Sequence, residues 1–340
     1  TDLGNAIAIL RGTDPNDKRI FMIGGHLDSR VSDVMNAKDF APGANDDGSG
    51  VGAVIESARI LSQSKFPATI IFVAFSGEEQ GLLGAKMLAE KAKNENWQLE
   101  ALLNNDMIGN NLSSETNLIN ANQLRVFSEG LPQFDLDKKA QKIRNLGLEN
   151  DGEARQLARY IKEIGERYVD NLEVKLIYRN DRFLRGGDHT SFVNQGFSAV
   201  RLTEFNENYD HQHQDIRKEN GKQFGDLPEF MDFEYFKKNV GVNVSVLANL
   251  AKSPSKPENV KMDVKELTNF TTIHWEKPKN GEVVGYYVLM RETDSSTWQK
   301  KFFTKENSMK LPYSKDNYFF AVQAVNSSGN ESLIVIPSVK

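Results

Sequence analysis

The chain has 340 residues, of which 39% are hydrophobic and 26% charged, with a formal net charge of -5. That length has room for more than one domain, the mild acidity and lack of a basic block argue against nucleic acid, and no apolar run nears the roughly 18–20 residues that span a bilayer. There are no cysteines, so thiolate ligands are excluded and any metal must rest on imidazole and carboxylate.

The chain opens at Thr1 and enters a strand at once, so we expect a piece of a longer protein. "NAIAILRG" and "RIFMIGG" (Arg19 to Gly25) read as neighbouring strands joined by a turn at "TDPNDK". "GVGAVIESARILSQS" reads as a helix, with Val51, Val54, Ile55, Ala58 and Leu61 on one face. Ile70 to Phe75 is apolar without alternation, as expected of a strand buried on both faces of a parallel sheet. A helix from Gly84 to Ala92 follows, then a short strand ending at Asp106. Residues from Asn110 to about Gly152 are polar and irregular and suggest an excursion over the sheet edge. Beyond them come the helix "EARQLARYIKEIGERY", the strand "LEVKLIYR", the short helix "DHTSFVNQ", the strand "SAVRLTE" and the long helix "FEYFKKNVGVNVSVLANLAK". This alternation predicts an α/β domain over residues 1–252, built on a mostly parallel, doubly wound sheet flanked by helices.

Pro254 and Pro257 mark a linker at 253–257. Residues 258–340 lose the helical period and carry short β-branched and aromatic segments separated by turns, which predicts a small all-β sandwich.

Parallel sheets place ligand sites at the carboxyl ends of their strands. Read there, the chain offers His26 and Asp28 after "RIFMIGG", and Asp46 and Asp47 in "GANDDGSG". Glu78 and Glu79 follow "IIFVAF", Asp106 follows "ALLNN", and His211 and His213 stand in "YDHQHQD". Each has an ordinary explanation by itself: Asp46 as a helix cap, Asp106 as a turn residue, the glutamates as charges at a helix N-terminus, the histidines as solvated loop. Together they crowd carboxylates at one edge, which is costly without cations. Mixed nitrogen and oxygen donors suit zinc better than calcium or magnesium, and there are enough for two ions.

"GGHLDS", "PGANDDGSG", "FSGEEQGLLG", "NNDMIG" and "YDHQHQD", in that order over residues 5 to 250, resemble the di-zinc aminopeptidases, whose wider metallopeptidase family also holds glutamate carboxypeptidases and glutaminyl cyclases. The resemblance implies a zinc exopeptidase fold and two Zn²⁺ per chain. His26 and Asp106 would hold one ion, Glu79 and His211 the other, and Asp46 would bridge them. Members of the family place this histidine four residues before an aspartate, so the resemblance implies that Asp215 selects His211 over His213. Asp28 would orient His26 through its second ring nitrogen, and Glu78 would be the general base toward a metal-bridging water. Asp47 is read as a capping or loop residue, and Asp188 as the cap of its short helix. Tyr209 stands one place further back than the tyrosine that some relatives use for the oxyanion, where Asp210 is found instead.

The resemblance also implies sheet-packing elements ahead of "LGNAIAI", without which a sheet edge or apolar face would lie exposed. The terminal segment, with Trp275, Tyr286, Tyr287 and Tyr318, resembles a fibronectin type III domain. The expected activity is removal of N-terminal residues from peptides with a free N-terminus, by a secreted, periplasmic or cell-surface protein that neither spans a membrane nor binds nucleic acid. The alternatives are a glutaminyl cyclase-like aminoacyltransferase and an inactive surface binding protein. Residue preference and oligomeric state are not legible at this level.

Overall fold

The computed structural model describes residues 3–131 and 143–339. The chain forms two compact units, one of Lys18–Ala248 together with the segment up to Thr13, the other of Asn249–Lys340 together with Asp14–Asp17. The division thus falls inside the last helix of the first unit, a few residues before the prolines of the expected linker.

The first unit is built on a seven-stranded sheet. Its strands are β1 (Ala6–Leu10), β2 (Arg19–His26), β3 (Thr69–Phe75), β4 (Gln98–Asn105), β5 (Gln123–Phe127), β6 (Glu173–Ile177) and β7 (Ala199–Glu204), in the spatial order β1-β3-β2-β4-β7-β5-β6. β3, β2, β4 and β7 run parallel to one another, while β1 pairs with β3 and β5 with β7 in antiparallel fashion. The alternation of strand and helix explains the parallel centre, since each crossover needs a helix to return the chain to the same edge.

Two expectations are corrected here. β1 and β2 are not neighbours, because β3 inserts between them. The stretch from Asn110 to Gly152 is not wholly an excursion: Gln123–Phe127 joins the sheet between β7 and β6, a strand too short and too mixed in polarity to stand out. Residues 132–142 of that stretch lie outside the described residues.

Helices cover both faces. Met22, Ile71, Val73, Phe75, Leu102 and Ala199 on one side meet Ala85, Leu88 and Ala89 of α2 (Leu83–Asn94) and Phe192 and Val193 of the short helix Asp188–Asn194. α1 (Gly48–Leu61) lies against β2, β3 and β4. The stripe it buries is smaller than expected: Gly50, Ala53, Val54, Ser57 and Leu61 pack, and Ile55 is 63% exposed. The cause is close approach, since a side chain at Gly25 of β2 would place its Cβ 2.6 Å from the Gly50 carbonyl carbon and 2.9 Å from Asp47 Oδ2. Numbering the remaining helices in chain order gives α3 (Glu153–Tyr168), α4 (Asp188–Asn194) and α5 (Phe233–Lys252). Buried Asn239 and Asn243 of α5 bond to Ile108 O and to Asn105, anchoring the helix beside the end of β4.

β8 (Arg217–Glu219) and β9 (Lys222–Phe224) form a separate small hairpin turned by Asn220 and Gly221. The second unit packs a four-stranded sheet against a three-stranded one, and Trp275 meets Tyr286 edge-on at 5.3 Å in its core. Among the described residues, no helix is long and apolar enough to cross a membrane.

Because the Gly25 contact is with backbone, Gly25→Ala must displace the start of α1. It is expected to cost about 1–3 kcal/mol, as overpacking does, measurable as a lowered urea midpoint.

Candidate metal centre

The parallel strands deliver their carboxyl ends to one edge, and with them His26, the Gly77–Glu79 turn, Asp106 and the segment after β7. α1 begins at the same edge, so the loop before it contributes Asp46 and Asp47. Among the described residues two groups bring their donor atoms within 4.8 Å of one another: His26, Asp46 and Asp106, and Asp46, Glu79 and His213.

Asp46 belongs to both. Its Oδ1 lies 3.0 Å from His26 Nε2 and its Oδ2 2.9 Å from His213 Nε2, so the two oxygens of one buried carboxylate face two different imidazoles. His213 Nε2 is also 2.9 Å from Glu79 Oε1. One ring N–H cannot satisfy two acceptors fully, and Glu79 Oε1, although that close, has no aligned hydrogen-bond partner. A cation between these atoms fits them better than a proton does.

The electrostatics agree. Burial disfavours a charged His26, yet the negative charges of Asp47, Asp46 and Asp106 outweigh it and hold the imidazole well above its ordinary value. Burial opposes the Asp46 carboxylate, but His213 and His26 hold it well below the usual range. Glu78 is pushed up to about 9, first by burial and then by the Asp106 charge. The site is therefore short of positive charge.

His211 is not part of either group. Its backbone N–H bonds to Asn208 O, and its ring stacks on Phe230 at 3.7 Å, where burial drives it down to about 4. The expectation from Asp215 was His211, whereas the structure gathers His213 with Asp46 and Glu79; Asp215 accepts from Ser32 N, across to the loop after β2. His213 reaches Asp46 and Glu79 with its backbone at φ 57°, a left-handed conformation uncommon outside glycine.

Asp28 is also placed differently from expectation. The His26 Nδ1 partner is the Asp28 backbone carbonyl at 2.9 Å, while the carboxylate stands 4.0 Å off. That carboxylate instead accepts the backbone N–H groups of Gly77, Glu78 and Glu79 at 2.8, 3.1 and 3.0 Å. Asp28 therefore fixes the turn that presents both glutamates. Asp47 caps α1 through Gly50 N and also accepts His26 N and Met107 N, tying three segments to one buried carboxylate. Asp188 does not cap its helix: Gly187 is the N-cap position and both Asp188 oxygens are buried without hydrogen bonds. Burial, reinforced by the negative charge of Asp106 and opposed by the positive charge of His26, pushes Asp188 up to about 7. Tyr209 is 57% exposed.

Sequence reasoning missed Asp226 and Arg201. Asp226 accepts Asp46 N at 2.7 Å and Asn45 N at 3.0 Å, and so holds the backbone of the shared carboxylate. Nothing in "GDLPEF" signals that role. Arg201 is fully buried in β7 and reaches Asp106. A charge inside the apolar run "SAVRLTE" was a legible sign of a buried partner.

Helices on both faces of a mostly parallel sheet, with imidazole and carboxylate gathered at its carboxyl edge, define an α/β protein with a two-lobed candidate metal centre. Residues 5–227 match Peptidase family M28, and the chain belongs to that family. Residues 255–337 match the fibronectin type III domain. A probable zinc metalloprotease of Leptosphaeria maculans is 42% identical over 98% of this chain and 78% of its own length. Another from Pyricularia oryzae is 40% identical over 98% of this chain and 68% of its own length. Among solved structures, the aminopeptidase of Aneurinibacillus sp. strain AM-1 is 22% identical with a TM-score of 0.51, over 73% of this chain and 48% of that one. The LapA aminopeptidase of Legionella pneumophila is 21% identical with a TM-score of 0.52, over 73% and 54%. The chain spans about half the length of these two solved aminopeptidases, and the likeness to them is one of fold.

His213→Ala is expected to lose zinc from the Glu79 group, whereas His211→Ala retains it; metal analysis of the two purified variants separates the histidines.

Proposed function

We propose that the chain is a zinc-dependent aminopeptidase holding two ions, one on His26, Asp46 and Asp106 and the other on Asp46, Glu79 and His213. The observation that carries this reading is the placement of the two Asp46 oxygens against opposite imidazoles, a geometry suited to a carboxylate shared between ions. Membership of a peptidase family, relatives named probable zinc metalloproteases and similarly folded proteins named aminopeptidases support the substrate class.

Zinc, when bound, supplies Lewis-acid polarisation of the scissile carbonyl. The remaining work falls to the protein. Glu78 takes a proton from the attacking water and delivers it to the leaving amine as the C–N bond breaks. Its carboxyl favours the protonated form in the cation-free site, where burial and Asp106 push it up to about 9. Glu78 would ionise and serve as the base once positive charge is held beside it on the neighbouring donors. Asp28 keeps Glu78 and Glu79 on one rigid turn, so that neighbouring side chains leave the strand end in different directions, one toward the ion and one toward the water. The Asp28 backbone carbonyl sets the His26 tautomer, leaving Nε2 free to bind metal.

Glu78→Gln is expected to keep its zinc and lose turnover by about 10²–10⁴-fold, the usual worth of general acid–base catalysis; near-normal activity would refute the assignment. Wild-type protein carrying two zinc per chain should hydrolyse amino-acid amides from a panel led by Leu-amide. Cyclisation of a Gln-peptide in place of that hydrolysis would overturn the peptidase reading.

A further inference from the structure

Arg201 stands in the middle of the sheet, opposite Asn104 of β4 and Phe127 of β5. Its flanking residues Val200 and Leu202 are fully buried apolar side chains, and the Arg201 side chain itself has no exposure. Burying a guanidinium costs several kcal/mol unless its partners are well placed, so strand stability alone does not explain an arginine here. Its contacts suggest another purpose. Nη1 lies 3.1 and 3.2 Å from the two oxygens of Asp181 and 3.5 Å from Gly186 O, which fixes that arm of the fork. Asp181 is in turn held by Arg182 N at 2.6 Å. The other arm, Nη2, lies 2.9 Å from Asp106 Oδ1 as an ion pair without the alignment of a hydrogen bond.

We propose that Arg201 is a positioning residue for the metal centre: its ion pair to Oδ1 of Asp106 holds that carboxylate beside His26 and Asp46, where it would serve as a ligand. Arg201 touches neither substrate nor ion; it acts through Asp106, with Asp181 as the anchor that keeps the guanidinium plane aimed. A rigid planar fork holds two carboxylates in one fixed geometry, whereas an ammonium is a compact point charge on a flexible stem. The proposal rests on Asp106 being a ligand, as in the function proposed above.

The test is a zinc titration of the full chain, stripped of metal and competed against a chromophoric chelator. Arg201→Met/Asp181→Asn removes the guanidinium and its counter-charge together. The net charge near the ions is preserved, and the remaining effect is the orientation of Asp106. The expected result is that one zinc equivalent weakens by about tenfold or more, the usual cost of losing a partner that orients a ligand, while the other stays within about twofold. Arg201→Lys, which keeps the charge, should shift the same equivalent in the same direction by less, and carries the test by itself if the double variant does not fold. Unchanged affinity at both equivalents, or an equal fall at both, overturns the role of Arg201. Wild-type protein titrated alongside keeps the two readings apart: if it binds no zinc, the metal centre fails and Arg201 with it; if it binds two, only Arg201 is being judged.

Discussion

The first unit depends on a shortage of positive charge. Asp46, Asp47, Asp106, Asp188 and Glu204 are all buried, and Glu78 and Glu79 stand on the turn at the same sheet edge. Unpaired buried carboxylates are among the costliest features a fold can contain. This protein manages them in three ways. Some are satisfied by backbone N–H groups, as with Asp28, Asp47 and Asp226. Some are paired with a buried guanidinium, as Asp106 and Asp181 are with Arg201. Glu204 is satisfied by the side-chain amide of Asn45 and the backbone N–H of Asn110, while Asp46 and Glu79 face imidazoles at 2.9–3.0 Å, the arrangement on which the proposed metal centre rests.

The same division separates what the sequence disclosed from what it hid. Strand ends were legible because an apolar run such as Ile70 to Phe75 stops abruptly at charges, and the parallel sheet then sends His26, Glu78, Glu79 and Asp106 to one edge. The supporting contacts were not legible. They depend on which backbone N–H groups a carboxylate meets, and that is set by loop geometry with no periodic signature. Asp28 shows the difference: its place near His26 was readable, but the three N–H groups it collects come from a turn some fifty residues away. Which of His211 and His213 turns toward the carboxylates was hidden for a similar reason. A turn at Asn208 directs His211 onto Phe230, and a left-handed residue brings His213 back toward the edge. Spacing to Asp215 carries none of that.

The sheet order was likewise only half readable. Helical crossovers made the parallel centre a safe expectation, but adjacency in sequence is a poor guide where β3 inserts between β1 and β2, or where β5 enters antiparallel beside β7. In the second unit the aromatic core around Trp275 and Tyr286 was visible as a sandwich pattern, while short strands such as Ser308–Leu311 were lost among turns.

The three hydrogen bonds collected by Asp47 join the end of β2, the first turn of α1 and the backbone just past β4. These are the segments from which His26, Asp46 and Asp106 project. The scaffold that spaces those donors is therefore knotted together by the polypeptide itself, one residue away from the side chain that the ions would share. Because all three bonds are to backbone N–H groups, replacing the side chain of His26, Asp46 or Asp106 removes a donor from the edge without removing any of the bonds that space it.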